Sequence, residues 1–263
     1  MRSLSGTEPV YTKLAEIYDA VMSEVDYDLW ADYIDALMLD HHADPNTVME
    51  LACGTGSLAL SLDELECYDI WGTDKSPQMI ARAREKNRER MCTVEFSVMD
   101  FLDIPMNRTF DVVFCVFDSI NYLHEPRHVI RFLKQCQKLL TSRSLLIFDF
   151  TTPSNSKEAI HYLHNEEGMT DNNYRFFRSS TYNAEKQIHT NTFRIQQLAA
   201  DRATVLDEFV EVHRQKIYSL QQMLDIIDQT AYNIRAKYSD FEFEEADDES
   251  LRITMVLQCP STQ

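Results

Sequence analysis

The chain has 263 residues, and its 43 acidic against 25 basic side chains give a formal net charge of −18 at pH 7. So acidic a chain lacks the basic face that neutralises phosphates, and we expect neither nucleic-acid binding nor docking on anionic membranes. The length suits one large domain, or one domain with an insertion, and without a long apolar stretch or a signal-peptide core we predict a cytoplasmic protein.

The first predicted elements are two amphipathic helices within residues 7–42. Apolar and aromatic side chains recur at helical spacing, around Tyr11 and Tyr18 in the first helix and around Trp30 in the second. A turn-prone acidic segment, residues 24–28, separates them. On spacing alone the aromatic stripe indicates core packing.

Next, an apolar run within residues 46–58 passes through a short turn directly into a helix-compatible segment. Two of the chain's five glycines, Gly54 and Gly56, lie in this turn. Glycine is needed where the backbone takes a positive φ or where a ligand approaches the main chain closely. A strand, a glycine turn and a helix N-terminus together form an edge at which backbone N–H groups can bind a nucleotide. A tight turn without a ligand is the alternative, because G-x-G alone is a weak motif.

Four further apolar strands alternate with helices. The strands are predicted over residues 68–74, 93–98, 110–117 and 144–150, and the helices from Ser76 and Pro77 to Arg90 and over residues 127–140. Five such strands predict a doubly wound parallel sheet, which binds ligands at the carboxyl ends of its strands. Three strands end at or just before an acid, namely Asp74, Asp100 and Asp118. Their convergence on one edge predicts a binding site there.

The hydrophobic pattern changes to period two over residues 153–217, which predicts an antiparallel sheet inserted after the fifth strand. An insertion at this point would overhang the carboxyl edge and can cover the site, and oligomer contacts are the alternative role. Residues 220–227 then predict a helix, and residues 233–243 and 251–257 predict a terminal pair of strands.

These elements predict an α/β fold. It is a Rossmann-like, doubly wound, mostly parallel seven-stranded sheet with a terminal antiparallel strand, plus an inserted antiparallel β lid. The predicted core domain comprises residues 1–152 and 218–263, with a helical cover at its N-terminus, and the lid comprises residues 153–217.

Two ligand classes fit the predicted edge. A dinucleotide needs G-x-G-x-x-G/A, which residues 54–59 satisfy, and an acid about 20 residues further on for the ribose, which Asp74 supplies. S-adenosylmethionine also needs a glycine turn and a ribose-binding acid, but it carries a positive sulfur and no pyrophosphate. Glu50, at the end of the first strand, suits its cationic methionine end, and Asp100 can accept from the adenine amino group.

Five motifs follow one another in order along the chain. They are Glu50-Leu-Ala-Cys-Gly-Thr-Gly56, Gly72-Thr-Asp-Lys-Ser-Pro-Gln-Met79, Met99-Asp100, Phe110-Asp-Val-Val-Phe and Asp118-Ser-Ile-Asn-Tyr122. Together they resemble the motifs of class I S-adenosylmethionine-dependent methyltransferases. The N-terminal Tyr11, Tyr18-Asp19 and Asp26-Tyr27-Asp28-Leu29-Trp30 narrow the resemblance to a bacterial subgroup of small-molecule type with a β insertion.

The resemblance implies S-adenosyl-L-methionine as the cofactor and a set of residues around it. Glu50 and the backbone of residues 52–56 would hold the methionine portion, Asp74 the ribose hydroxyls and Asp100 the adenine amino group. The implied set is Tyr11, Tyr18, Trp30, Glu50, Ala52, Cys53, Gly54, Gly56, Asp74, Lys75, Met79, Asp100, Phe101, Phe117 and Asp118. Ala52 stands where many relatives have glycine, and the loop tolerates alanine there if φ is negative.

The predicted function is S-adenosylmethionine-dependent methyl transfer to a nitrogen or oxygen of a small-molecule acceptor. In-line transfer needs positioning and exclusion of water, with a base only where the acceptor must lose a proton, and His213 and Asp118 are the candidates for that base. An NAD(P)-dependent oxidoreductase and a non-catalytic S-adenosylmethionine-binding module are the alternatives. We expect a monomer or homodimer and no metal site, because His161 and His164 lack partners at ligand spacing.

Overall fold

The computed structural model describes residues 10–259, so residues 1–9 and 260–263 of the predicted core domain lie outside it. The first predicted helix is shorter than expected: a 3₁₀ turn at Leu14–Glu16 leads into α1, Tyr18–Val21. Helix α2, Tyr27–His41, agrees with the second predicted helix. We call residues 11–21 the N-terminal cover.

Within residues 10–259, eleven strands form two separate sheets. They are β1 (Thr47–Leu51), β2 (Asp69–Asp74), β3 (Glu95–Val98), β4 (Phe110–Cys115), β5 (Leu140–Thr151), β6 (Glu166–Met169), β7 (Tyr174–Asn183), β8 (Ile188–Leu198), β9 (Val205–Lys216), β10 (Asn233–Ser239) and β11 (Arg252–Gln258). The central sheet has the order β10-β11-β5-β4-β1-β2-β3, and β11 runs antiparallel to both of its neighbours. The predicted mostly parallel seven-stranded sheet with its terminal antiparallel strand is confirmed.

Helices pack on both faces of the central sheet. The remaining ones are α3 (Ser57–Asp63), α4 (Pro77–Arg90), α5 (Pro126–Cys136), α6 (Pro153–Leu163) and α7 (Leu220–Ile227). Strand β4 shows why its sequence is almost entirely apolar: Val112 and Phe114 join the buried cluster of α2 and α3, whereas Val113 and Cys115 join that of α5 and α7. A strand covered on both faces has no polar side.

The second sheet is antiparallel, with the order β6-β7-β8-β9, as the period-two pattern predicted. The preceding helix α6 was not predicted. Its start has a clear signal, since the Thr152 hydroxyl caps it and Pro153 occupies its first turn. Its apolar stripe is weak, because only Ser156 and Ala159 are buried, and periodicity therefore missed it.

Strand order reverses between β1 and β4, since β1 is flanked by β2 on one side and by β4 on the other. Ligands of open α/β sheets bind in the crevice outside the carboxyl ends of the strands at such a reversal. The chain segments at this point are residues 52–56 after β1 and residues 116–118 after β4, and the second sheet contacts the latter through β9.

Candidate functional site

The glycine turn between β1 and α3 takes left-handed backbone conformations at three positions. The φ angles are +57° at Ala52, +55° at Gly54 and +75° at Gly56. A Cβ atom on Gly56 would lie 2.6 Å from the Phe96 ring, so both its conformation and its surroundings require glycine.

Ala52 corrects one expectation. The loop was expected to tolerate alanine through a negative φ, but φ is positive. The left-handed conformation brings Cβ close to the following carbonyl oxygen and strains a non-glycine residue by roughly 1–2 kcal/mol. The fold therefore holds Ala52 in a strained conformation next to the predicted binding edge.

Glu50 lies in β1, two residues before this strained position. Its side chain is 3% exposed, and its Oε2 atom has no hydrogen-bond partner among the described residues. Burial raises the pKa of Glu50 well above its usual value, and the charge of Asp74 adds to this. A buried carboxyl oxygen without a donor is unfavourable, and a cationic donor such as an ammonium group would pair it. Cys53 is also buried and provides no charge, since burial raises the pKa of its thiol.

Asp74 joins the glycine turn to the segment after β2. One carboxylate oxygen accepts the Gly54 N–H at 3.0 Å, and the other accepts the Ser76 N–H at 2.7 Å. Burial raises the pKa of Asp74, while these two donors act in the opposite direction. Each oxygen retains a second acceptor position, so the carboxylate can still bind two hydroxyl groups.

Asp100 lies beside Asp74 at the same edge, because the Met99 N–H donates to the Asp74 carbonyl at 2.9 Å. Its carboxylate pairs with Lys75 at 2.8 Å and accepts the Leu102 N–H at 2.9 Å. The Lys75 side chain is 79% exposed, and this ion pair can therefore rearrange in solvent at little cost.

Two apolar residues of the implied set also lie here. Met79 is buried at the start of α4, and Phe101 is half-buried with its ring edge-on to Phe132.

Phe117 and Asp118, after β4, also have left-handed backbones, with φ of +57° and +50°. The buried carboxylate of Asp149 in β5 accepts both of their N–H groups, at 3.1 and 2.6 Å. The Phe117 ring packs 4.1 Å from the Trp30 ring. Trp30 therefore supports this edge through Phe117.

Each oxygen of the Asp118 carboxylate has a partner. One oxygen pairs with Arg252 at 2.7 Å, and the other accepts the amide of Gln215 from β9. Arg252 also pairs with Asp149 at 2.6 Å. These contacts tie Asp118, one of the two predicted bases, to β11 and to β9.

One carboxylate of the second sheet binds the backbone of the N-terminal cover, which also packs on this sheet through Leu14 and Ile17. Glu211 of β9 accepts the backbone N–H groups of Tyr11, Thr12, Lys13 and Leu14 at 2.6–3.2 Å, and the Thr12 hydroxyl at 2.8 Å. Although burial by itself raises it, the neighbouring His213 and hydrogen bonds from Leu14 and Thr12 lower the pKa of Glu211 to about 2. Glu211 is therefore ionised at neutral pH.

The other side of the cover is fixed to the sheet edge. The Ser76 hydroxyl donates to the Tyr11 carbonyl at 2.8 Å, and the Thr55 hydroxyl of the glycine turn donates to Asp19 at 2.6 Å. Tyr18 lies over the turn, with its ring 3.9 Å from the point where a Gly54 Cβ would stand. Burial raises the pKa values of Tyr11 and Tyr18, so both are neutral phenols.

His213 lies next to this cover, on the inner face of the second sheet. Its side chain is buried, its Nδ1 lies 2.9 Å from the Tyr122 hydroxyl, and its Nε2 lies 3.5 Å from Glu211. The Tyr11 ring stands edge-on, 4.7 Å from the imidazole.

Residues 48–143 match the methyltransferase domain family. The sequence is 24% identical over 254 residues to a Bacillus subtilis protein named "Putative methyltransferase YqeM", covering 96% of this chain and 98% of that relative. Together with the fold, these matches support a class I S-adenosylmethionine-dependent methyltransferase. A methyltransferase from Clostridium acetobutylicum shares this methyltransferase's fold with a TM-score of 0.76 at 21% identity, over 96% of this chain and all of that chain. The sugar N-methyltransferase KedS8 from Streptoalloteichus has a TM-score of 0.73 at 17% identity, and the match covers 99% of this chain and 100% of that chain.

The methyltransferase uses S-adenosylmethionine, and the dinucleotide interpretation of the glycine turn is set aside. Within residues 10–259, no three His, Cys, Asp or Glu side chains are grouped to hold a metal ion. Over the same residues, no helix is both long and apolar enough to cross a bilayer.

Four side chains that the sequence did not assign to the site belong to its architecture: Tyr122, Asp149, Glu211 and Arg252. Asp149 had a usable signal, because it is an acid inside an otherwise apolar strand. Tyr122 ends a motif that was noted but given no role. Glu211 and Arg252 lie in ordinary strand patterns, and the partners described above for them in the sheet edge and the cover are 103 to 200 residues away.

Proposed function

We propose that this methyltransferase transfers a methyl group to a nitrogen or oxygen of a small molecule, held between the carboxyl edge of the central sheet and the second sheet. The observation that carries the proposal is the buried, unpaired Oε2 of Glu50 beside the glycine turn and Asp74. This pair of acids suits a nucleoside whose other end is cationic.

The residues fit the cofactor from end to end. Glu50 would pair with the ammonium group of the methionine portion, Asp74 would accept the ribose hydroxyls, and Asp100 would accept the adenine amino group once Lys75 moves aside. The remaining implied residues, apart from Trp30, would line the cofactor by backbone or ring contact: Tyr11, Tyr18, Ala52, Cys53, Gly54, Gly56, Met79, Phe101, Phe117 and Asp118. Trp30 would act through its contact with Phe117. When bound, the cofactor supplies an electrophilic methyl group on a positively charged sulfur.

The protein would contribute positioning and exclusion of water. Tyr11 and Tyr18 of the cover are half-buried beside the turn, and their rings favour a nearby cation electrostatically. We propose residues 153–217 as the lid, because β9 reaches the edge through Gln215 and the cover through Glu211.

The acceptor class is supported by two observations. The inner face of the second sheet presents polar side chains to the edge, among them His213 and Gln215, as a small polar acceptor requires. The structurally similar KedS8 is named a sugar N-methyltransferase, which favours nitrogen as the methylated atom. The six free thiols suit a cytoplasmic enzyme, acting as a monomer or homodimer.

Calorimetric titration with S-adenosylhomocysteine tests this assignment. We expect 1:1 binding, and Asp74→Ala should weaken it by about 1.5–3 kcal/mol because charge-assisted hydrogen bonds are lost. Asp69→Ala is the matched control, since Asp69 lies at the opposite end of β2 and is exposed. Binding of NAD in place of the cofactor, or an unchanged Kd in folded Asp74→Ala, would reject the site.

Glu50→Gln tests the ammonium contact separately. The variant keeps the shape of the side chain but removes its charge, so we expect it to weaken the binding of S-adenosylhomocysteine by roughly ten- to hundredfold. Adenosine, which lacks the amino-acid portion, should bind wild type and variant equally. Equal losses for both ligands would remove Glu50 from the methionine end.

A further inference from the structure

Four side chains from three different elements form one continuous chain of contacts beside the proposed acceptor position. Glu211 lies 3.5 Å from His213 Nε2, His213 Nδ1 lies 2.9 Å from the Tyr122 hydroxyl, and that hydroxyl lies 2.7 Å from the Tyr11 hydroxyl. Glu211 and His213 belong to β9, Tyr122 to the turn after β4, and Tyr11 to the N-terminal cover.

The partners fix where the protons lie. His213 Nε2 has no hydrogen-bond partner among the described residues, but it faces the Glu211 carboxylate at 3.5 Å, and this negative charge favours a proton on Nε2, so that Nδ1 accepts. The Tyr122 hydroxyl must then donate to Nδ1, and its oxygen accepts from the Tyr11 hydroxyl. The Tyr11 oxygen is left with a lone pair at the free end of the chain.

We propose that Tyr11 and Tyr122 conduct a proton from the methyl acceptor to His213, and that Glu211 is the positioning residue that sets the histidine tautomer. This inference rests on the proposed function, because it assigns the proton path of the same site.

The proton path balances. The acceptor nitrogen or oxygen forms its bond to the methyl carbon while the carbon–sulfur bond breaks, and that electron pair stays on sulfur. The acceptor's proton passes to Tyr11, the Tyr11 proton to Tyr122, and the Tyr122 proton to Nδ1 of His213. The product is an imidazolium beside the Glu211 carboxylate, and its proton returns to water when the site opens.

The relay identifies the acceptor class as one that must lose a proton. A hydroxyl loses it during transfer, and an amine that arrives as an ammonium loses it before transfer. A thioether or tertiary amine has no proton to lose. Burial raises the pKa values of Tyr11 and Tyr122, so both tyrosines stay neutral and pass protons without storing a charge.

Glu211 also couples the relay to closure of the cover. The carboxylate that faces His213 accepts the Tyr11 N–H at 2.8 Å, so the same group places both ends of the relay. The other charged groups near the cluster are Arg178, which stacks on Phe193, and Asp118, which Arg252 neutralises. The relay is therefore assembled only when the cover is docked on the second sheet.

Nitrogen NMR of ¹⁵N-histidine-labelled protein tests the geometry without an acceptor. His213→Gln assigns the resonances by loss of signal. We expect wild-type His213 to be protonated at Nε2 with Nδ1 accepting, and we expect Tyr122→Phe to shift Nδ1 towards the value of an unbonded acceptor. Glu211→Gln should mix the two tautomers. Glu208→Gln on the same strand and Tyr182→Phe on the same sheet are matched controls that should change nothing.

A wild-type imidazole protonated at Nδ1, or an unchanged Nδ1 resonance in Tyr122→Phe, would overturn the relay. Calorimetric binding of S-adenosylhomocysteine separates this failure from failure of the site, because Tyr122→Phe should bind it normally. With any amine or hydroxyl compound that the wild type methylates, Tyr122→Phe should lower kcat by roughly 10²-fold, the usual contribution of a positioned proton acceptor. Unchanged turnover would also overturn it.

Discussion

The carboxyl edge of the central sheet and the inner face of the second sheet are built in different ways. The edge is made of backbone geometry and neighbours in sequence: a glycine turn, and Asp74 bonded to Gly54 twenty residues before it. The inner face is made of side chains whose partners are far away, such as Glu211, which binds residues 11–14. The comparison teaches that the edge proposed for the cofactor can be encoded locally, while the face proposed for the acceptor depends on the assembled fold.

Arg252 joins the two regions and gives the largest expected effect. It pairs with Asp149 of the sheet, which is fully buried, and with Asp118, which binds Gln215 of the second sheet. Arg252→Met leaves a buried carboxylate unpaired, so we expect a loss of about 3–5 kcal/mol in the free energy of unfolding. Urea denaturation measures it.

The control for this change is Arg235→Met, because Arg235 is exposed on β10. If both variants unfold at the same urea concentration, Arg252 does not hold the two regions together.

Glu211→Gln tests how much the inner face of the second sheet contributes to stability through its contact with the N-terminal cover. The variant removes the negative charge from the side chain that accepts the cover's N–H groups, so we expect the free energy of unfolding to fall by about 1.5–3 kcal/mol at pH 7. Glu208→Gln is the control, because the Glu208 carboxylate is exposed on the same strand, and its free energy of unfolding should change little.

The effect of Glu211 should depend on pH in a definite direction. Its pKa is lowered from 4.5 to about 2 on folding, so its stabilisation is complete above 4.5 and is lost as pH falls towards 2. The stability difference between wild type and Glu211→Gln should therefore shrink across that interval in thermal unfolding. A constant difference from pH 7 to pH 2 would show that the ionised carboxylate is not what holds the cover.

Ala52→Gly tests the edge and has the smallest expected effect, with the opposite sign. Glycine removes the strain of φ +57°, but it also gives the unfolded chain more conformational freedom. We therefore expect the free energy of unfolding to rise by up to about 1 kcal/mol. Ala59→Gly is the contrast, because Ala59 is buried within α3, and its replacement should lower the free energy of unfolding by about 1 kcal/mol. If both variants are less stable than the wild type, then the packing of the Ala52 methyl group stabilises the protein by more than its left-handed conformation destabilises it.

The sequence predicted what adjacent residues determine. The glycine turn, the Ser76 cap with Pro77, and the parallel sheet all follow from local patterns, and the structure contains them. The sign of φ at Ala52 could not be predicted, since the surrounding fold imposes a conformation that alanine disfavours. Helix α6 was missed because its apolar stripe is weak.

The side chains around His213 show the other limit. His213 was singled out, but nothing near it in sequence indicates that Tyr122 and Tyr11 would meet it, 91 and 202 residues away. Asp118 was given the same role from its place after a strand. Its engagement by Arg252 and Gln215 is a tertiary contact that no local pattern contains.

A crystal structure with S-adenosylhomocysteine tests the central claim most directly. It should show the ribose hydroxyls on Asp74, the ammonium group on Glu50 Oε2, and the sulfur turned towards Tyr11 and His213. A nucleoside bound elsewhere, or an amino-acid end directed away from Glu50, would contradict the account.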